Sequence, residues 1–257
     1  MIMALNIADC LVVQRLQFGP KVALFSPMSF ACCKGEVCAI LGANGCGKTT
    51  LLHSLVNIQP PLSGDILVQG GIGFVPQSSV LAFSYRVIDV VLMGLAQKIG
   101  LFFQPSGDDE QRALAALADL AIVELADSIF TQLSGGQQQL VLIARALVAD
   151  CSVIALDEPT SALDLHNQQV VLQLLRKLAR RDNKCIIFTT HDPSHALLVA
   201  DKALLLFPQG KWQFDCCNKV LIPSNIQQAY GINVEQVAFT VEQQTYKTLI
   251  PLFGLLD

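Results

Sequence analysis

The sequence contains no uninterrupted apolar run of about 18 residues, the length that a membrane-spanning helix needs. Its longest apolar stretch, ALLVADKALLLF, is interrupted by Asp201 and Lys202. We therefore expect no transmembrane helix. Hydrophobic residues nevertheless make up 52% of the chain. This surplus predicts a large core, or a surface that docks against an apolar partner.

Signals of export, metal binding and nucleic-acid binding are also missing. The first ten residues, MIMALNIADC, lack the basic start and long apolar centre of a secretory signal. The nine cysteines include no CxxC pair, and neither Cys32–Cys33 nor Cys216–Cys217 has metal-ligand spacing. We expect reduced, mostly buried thiols in the cytosol. The net charge of −4 argues against a nucleic-acid partner.

Repeats and low-complexity segments are absent as well, and strand-length apolar runs alternate with helical ones. The predicted strands are VCAIL, GIGFVPQ, SVIALDE, CIIFTT and KALLLF. Helical spacing follows the first of them, in TTLLHSLVN, and also separates SVIALDE from CIIFTT, in LHNQQVVLQLLRKLARR. Continuous apolar strands alternating with helices predict an α/β fold with a parallel sheet covered on both faces.

Three consecutive helical segments interrupt this alternation and predict a division of the single domain. Residues 1–77 and 151–214 would form the α/β core, 78–150 a helical subdomain, and 215–257 a C-terminal extension containing a closing hairpin. Apolar residues around Phe83, Tyr85, Val87 and Met93 predict a docking surface on the helical part, with core packing as the alternative.

The segment GANGCGKT fits the phosphate-loop pattern G-x-x-x-x-G-K-[ST], and it follows a strand and opens a helix as that motif requires. Its glycines allow close backbone approach to phosphate oxygens, which the helix N-terminus also attracts. Lys48 would reach the β- and γ-phosphates of ATP, and the Thr49 hydroxyl would bind Mg²⁺. The predicted nucleotide contacts are Gly42, Ala43, Asn44, Gly45, Cys46, Gly47, Lys48, Thr49 and Thr50. The loop amides would also favour a thiolate at Cys46, with an inert thiol as the alternative.

The segment VIALDEP places two carboxylates at the end of a buried strand, where α/β proteins bind ligands. Asp157 can hold Mg²⁺ there, directly or through water. Glu158 can polarise the attacking water. Alone this is a weak signal, typical of a solvated strand end, but the phosphate loop strengthens it.

A second glycine segment, LSGGQ, spans Leu133–Gln137 and resembles a phosphate loop without a lysine. Singly, Ser134 fits a helix N-cap, Gln77 a loop glutamine, and His191 a structural histidine beyond a strand. None of these three residues would indicate a function by itself.

The order of these features along the chain resembles the ATP-binding cassette (ABC) ATPases. That order is phosphate loop, Gln77, LSGGQ, Asp157–Glu158, SALD and His191. The resemblance extends from about residue 5 to 207. It implies a P-loop NTPase, RecA-like core with a mostly parallel sheet, an N-terminal antiparallel β part and an inserted helical subdomain.

The resemblance also implies a head-to-tail homodimer that binds two ATP molecules. LSGGQ of one copy, through Ser134, Gly135, Gly136 and Gln137, would cap the γ-phosphate held by the phosphate loop of the other. Gln77 would sense the γ-phosphate and Mg²⁺. His191 would contact the γ-phosphate, Asp164 would couple the two sites, and Phe18 would stack on adenine. The sequence departs from the family at Gln138, where many members have arginine.

Within this family, the segments SGDILVQGGIGFVPQ, YRVIDVVLMGL and LSGGQQQLVLIARAL resemble ATPase subunits of bacterial metal-chelate importers. That group includes the iron–siderophore, haem, cobalamin and molybdate/tungstate systems, the last being the most similar. The resemblance implies two membrane permease subunits, a periplasmic or lipid-anchored substrate-binding protein, and a peripheral position on the cytoplasmic membrane face. The alternative is a soluble ABC ATPase of iron–sulfur cluster assembly, and co-purification with a membrane protein would distinguish the two.

Overall fold

A computed structural model describes residues 9–77, 84–96, 105–161, 163–252 and 254. The strands in these ranges are β1 (Asp9–Gln17), β2 (Met28–Cys33), β3 (Val37–Leu41), β4 (Ser63–Val68), β5 (Ile72–Val75), β6 (Val153–Leu156), β7 (Cys185–Thr190), β8 (Lys202–Leu206), β9 (Trp212–Cys216), β10 (Val234–Val241) and β11 (Gln244–Pro251). The helices are α1 (Lys48–Leu55), α2 (Val87–Leu92), α3 (Gly107–Asp119), α4 (Gly135–Val148), α5 (Leu165–Asp182), α6 (Pro193–Val199), α7 (Cys217–Val220) and α8 (Pro223–Tyr230).

A six-stranded sheet in the order β5-β6-β7-β3-β8-β9 forms the centre of the fold. Its first five strands are parallel, and β9 pairs antiparallel with β8 at the edge. Strands β3, β6 and β7 are buried along their whole length, because helices or a second sheet cover both faces. The α/β fold predicted from continuous apolar strands is confirmed.

Alternate residues of each central strand enter two different cores. In β3, Val37, Ala39 and Leu41 belong to a cluster with the helices α2–α6. Cys38 and Ile40 point to the other face, where α1 and the strands β1 and β2 cover the sheet. This period of two follows from the pleat of a strand. It explains why both side-chain sets of β3 are apolar. All nine cysteines are free thiols, and only Cys216 is exposed.

A three-stranded antiparallel sheet, β2-β1-β4, forms the predicted N-terminal β part. Near the other end of the chain, β10 and β11 form the expected hairpin. The hairpin packs on α6, where the hydroxyls of Ser194 and Thr248 lie 3.2 Å apart. Among the described helices, none is both long enough and apolar enough to cross a bilayer.

The inserted segment contains α2, α3 and α4, which pack against one another. Phe83, one of its predicted docking residues, lies outside the described residues. Val87 has no exposed area, so the alternative of core packing applies to it. Met93 is 38% exposed and remains a candidate for a docking surface.

Candidate active site

The predicted site residues meet at one edge of the central sheet, because each follows the carboxyl end of a parallel strand. Gly42 follows β3 directly, Asp157 follows β6, and His191 follows β7. Gln77 lies two residues beyond β5. These four strands are neighbours in the sheet, so the segments that leave them converge.

The phosphate loop, residues 42–49, joins β3 to α1. Gly42, Gly45 and Gly47 have positive φ values of 156°, 75° and 108°, which glycine adopts without strain. A Cβ built on Gly45 meets no atom within 4 Å, so the loop is open there. Helix α1 begins at Lys48, and the N–H groups of its first turn have no acceptor within the helix. The loop therefore forms a cradle that attracts an anion.

Lys48 points back into this loop and is only 5% exposed. Its Nζ atom donates to the carbonyl oxygens of Gly42 at 3.0 Å and Ala43 at 3.4 Å. It also lies 3.5 Å from Oε1 of Glu158. A buried ammonium needs compensation of this kind. Phosphate oxygens that entered the loop would compete with Glu158 for the same charge.

Thr189 holds the two carboxylate residues in place. Its hydroxyl donates to Oδ1 of Asp157 at 2.6 Å and accepts from the backbone N–H of Glu158 at 2.7 Å. Asp157 is buried, and Glu158 has a φ of 42°, a left-handed conformation that costs a non-glycine residue about 1 kcal/mol or more. Thr189 was not predicted from the sequence. Its signal was the pair of threonines that ends the otherwise apolar CIIFTT strand, of which Thr189 is the first.

Glu158 is the meeting point of the predicted catalytic residues. Its Oε2 atom lies 3.2 Å from Nδ1 of His191 and 3.5 Å from Nε2 of Gln77. The Gln77 amide also donates to the hydroxyl of Ser161 at 3.2 Å. The Glu158 side chain is 14% exposed. The carboxylate is therefore fixed in direction and still reachable by a water molecule.

Helix α4 begins directly after Ser134, whose hydroxyl accepts from the N–H of Gln137 at 3.4 Å. Oε1 of Gln137 in turn accepts from the N–H of Ser134 at 3.1 Å. This is a capping box, so Ser134 is the N-cap of α4. Ser134 and Gly135 are exposed, which leaves them free to contact another molecule.

The structure brings the LSGGQ segment close to Asp164. Gly136 is buried against Asn167, a residue that was not predicted from the sequence either. The backbone N–H and the side-chain amide of Asn167 donate to the Asp164 carboxylate at 2.8 and 3.1 Å. Asp164 is thereby the N-cap of α5. The physical link between the two predicted contact segments is Asn167.

Gln138, which departs from the family pattern, has a local role. Its side-chain amide donates to the carbonyl oxygens of Phe130 and Leu133, each at 3.2 Å. These carbonyls belong to the turn that leads into LSGGQ. Gln138 therefore fixes the approach of this segment to α4.

The structure contradicts the prediction that Phe18 stacks on adenine. Phe18 has no exposed area and stacks on Phe25, with ring centroids 5.6 Å apart. The exposed apolar side chains of this loop are Val22 and Leu24. Leu24 borders the phosphate loop, since a Cβ on Gly47 would lie 2.9 Å from its Cδ1 atom. If an adenine base bound beside the phosphate loop, Leu24 would be the side chain in a position to make an apolar contact with it.

Of the two alternatives for Cys46, the structure favours the inert thiol over the thiolate. Burial raises the pKa of this thiol, and the nearby Lys48 charge and backbone donors offset the effect only in part. Cys46 Sγ lies against Gly42, since a Cβ added to that glycine would be 2.7 Å from the sulfur. The Cys46 side chain therefore packs against the backbone of the phosphate loop, as the inert alternative predicts.

Comparison with known proteins matches residues 25–161 to the family model described as ABC transporter. The molybdate import ATP-binding protein MolC of Haemophilus influenzae is 42% identical, over 91% of this chain and 92% of its own. The manganese transport system ATP-binding protein MntB of Bacillus subtilis is 33% identical, over 82% of this chain and 88% of its own.

A solved structure of a transporter assigned to the metal-chelate type, in an inward-facing conformation, superposes with a TM-score of 0.93. The two sequences are 41% identical, and the match covers 98% of this chain and 100% of that one. With the convergent phosphate loop and carboxylates, these similarities show that the chain belongs to the ABC transporter family, as an ATP-binding ATPase subunit.

Proposed function

We propose that this chain is the ATP-hydrolysing subunit of an importer for a metal oxyanion or metal chelate, with molybdate as the first candidate cargo. The observation that carries the proposal is the 42% identity to a molybdate import ATP-binding protein along nearly the whole chain. The iron–sulfur assembly alternative is not proposed, because the relatives named above are subunits of transport systems and lend it no support.

The residues present fit a magnesium–ATP complex. The open side of Gly45 and the free N–H groups at the start of α1 suit the phosphates. The oxygens of Thr49, Gln77 and Asp157 are the ligand type that Mg²⁺ prefers. When bound, Mg²⁺ neutralises phosphate charge. Ala43, Asn44, Cys46, Gly47 and Thr50 complete the proposed nucleotide contacts.

The proposed hydrolytic step depends on a change of partner at Lys48. In the structure Nζ of Lys48 lies 3.5 Å from Oε1 of Glu158, so the counter-charge and the proposed base form an ion pair. Once Lys48 binds the phosphates, Glu158 is free to orient a water molecule and accept its proton. His191 and Gln77 keep the Glu158 carboxylate in position. In the proposed mechanism both also sense the γ-phosphate.

A head-to-tail homodimer would complete each site, with Ser134, Gly135, Gly136 and Gln137 of one copy closing on the phosphate loop of the other. The exposure of Ser134 and Gly135 supports this arrangement. In the proposed assembly, two permease subunits bind the helical part (78–150) from the membrane side. A separate binding protein delivers the cargo, and the core (1–77 and 151–214) and extension (215–257) remain in the cytoplasm.

The cargo is tested with the complete transporter in liposomes, assembled from this chain and the permease with which it co-purifies. We expect ATP hydrolysis to rise when the binding protein is loaded with molybdate, and not when it is offered a ferric chelate. Stimulation by the ferric chelate alone would replace molybdate as cargo and leave the importer role in place. Hydrolysis unaffected by any loaded binding protein would contradict the importer role.

Docking is tested by placing a charge on the exposed helical surface. Met93→Glu should reduce co-purification with the permease and leave ATP binding unchanged. Ile250→Glu, at an apolar position of the C-terminal hairpin that is similarly exposed, is the matched control. Equal loss of the complex in both variants would contradict docking through the helical part.

A further inference from the structure

The C-terminal segment reaches the first residue of the phosphate loop through one hydrogen bond. The Tyr230 hydroxyl, at the end of α8, accepts from the backbone N–H of Gly42 at 3.1 Å. These residues lie 188 positions apart in the chain. Sequence motifs that end near His191 gave no reason to include Tyr230 in the site.

Local sequence fixes the place of Tyr230. Helix α8 begins with Pro223, which suits the first turn of a helix, and ends at Tyr230. The next residue, Gly231, has a φ of 72° and is a glycine C-cap. Ile226 and Ala229 anchor the helix in the core. The tyrosine side chain therefore leaves a rigid helix end. Burial raises the pKa of Tyr230, so its hydroxyl stays neutral near physiological pH.

Both backbone polar atoms of Gly42 have a side-chain partner. Tyr230 receives its N–H, and Lys48 Nζ donates to its carbonyl oxygen at 3.0 Å. Gly42 is buried and has a φ of 156°, within the region that favours glycine. A glycine has wide conformational freedom, and a buried N–H without an acceptor is costly. The Tyr230 hydroxyl restricts the Gly42 backbone and supplies the acceptor for its N–H.

We propose that Tyr230 is a positioning residue of the nucleotide site, which holds Gly42, and through it Lys48 and the phosphate loop, in the conformation that receives ATP. The C-terminal extension then contributes a residue to the ATP-binding site. This inference rests on the assignment of ATP to the phosphate loop.

The test is Tyr230→Phe in the full chain, with a fluorescent ATP analogue for affinity and phosphate release for turnover. We expect the dissociation constant and the KM for ATP to rise about three- to tenfold, the range for one neutral hydrogen bond. The kcat at saturating ATP should stay within about twofold, because the effect is on the binding of phosphate. Tyr246→Phe, the same change on the C-terminal hairpin, should leave the KM unchanged.

An ATP affinity within twofold of wild type in Tyr230→Phe would overturn the proposal. An equal rise of the KM in Tyr246→Phe would also overturn it. So would a Tyr230→Phe variant that loses thermal stability but keeps the KM for ATP of the wild type. If Tyr230→Phe fails to fold, amide hydrogen exchange of the nucleotide-free wild type decides. We expect slow exchange at Gly42, whereas exchange as fast as at the open Gly45 would refute the bond. A wild type that binds no ATP would instead remove the assignment of the loop itself.

Discussion

The backbone of Gly136 lies directly against the side-chain amide of Asn167, so that a Cβ at Gly136 would sit 2.6 Å from the Asn167 Cγ atom. Asn167 also donates to the Asp164 carboxylate. Asn167 therefore connects the LSGGQ segment to Asp164 within a single chain. A shift of either segment is transmitted to the other by packing, because closely packed interiors do not deform continuously.

Gly136→Ala should lower the free energy of unfolding by about 1–3 kcal/mol, the usual cost of overpacking. In an Asn167→Ala background the same change should cost less than about 1 kcal/mol, since the opposing atoms are gone. Urea unfolding of the four proteins measures the cycle. Gly107→Ala, in the open first turn of α3, is the control and should cost nothing. An equal cost of Gly136→Ala in both backgrounds would contradict the contact.

Thr189→Val should both destabilise the protein and slow hydrolysis. The change keeps the shape but leaves the buried Asp157 carboxylate and the Glu158 N–H without their partner. We expect a loss of about 2–4 kcal/mol of stability and at least a tenfold fall in kcat, with a smaller change in KM. Thr190→Val loses one bond, from the Asp192 N–H, and should cost about 1 kcal/mol. Unfolding curves and steady-state kinetics separate the two variants, and equal kcat values would rule out this role of Thr189.

Alkylation of Cys46 should be slow at neutral pH and speed up with rising pH. The thiolate is the reactive form, and burial raises the pKa of Cys46 above its ordinary value. Well below that pKa the thiolate fraction grows about tenfold per pH unit, so the rate should still be rising steeply at pH 8.5. Mass spectrometry of the Cys46 peptide after iodoacetamide treatment measures it. A rate that levels off below pH 8 would show a lowered pKa instead.

The sequence predicted the parts of the site that follow from strand order. Residues directly after parallel strands meet at one sheet edge, so Asp157 and Glu158 could be placed beside the phosphate loop in advance. Gln77 and His191 were assigned to the site only through the resemblance to the ABC ATPases. Tyr230 could not, because its contact with Gly42 depends on how a distant helix packs. Phe18 was assigned by spacing alone, and spacing does not tell whether a side chain faces the core or the ligand. Strand β9 was also missed, since its five residues WQFDC are only partly buried and lack a continuous apolar pattern.

The role of LSGGQ across a dimer is testable with mixed dimers in a Glu158→Gln background, which removes the base so that bound ATP is retained. One preparation pairs a Lys48→Ala chain with a Ser134→Arg chain. The other pairs a chain that carries both changes with a chain that carries neither. Retained radioactive ATP, measured after gel filtration in Mg²⁺, compares the two.

If each site combines the phosphate loop of one copy with Ser134 of the other, the first preparation keeps one undamaged site. Its intact loop comes from the Ser134→Arg chain and its intact cap from the Lys48→Ala chain. In the second preparation every site has one damaged half. We expect a large difference in retained ATP, because an arginine adds bulk and a misplaced charge where Ser134 must close on the γ-phosphate. The reverse pattern would mean that LSGGQ serves the nucleotide of its own chain, and the lysine-free glycine segment would then need another explanation.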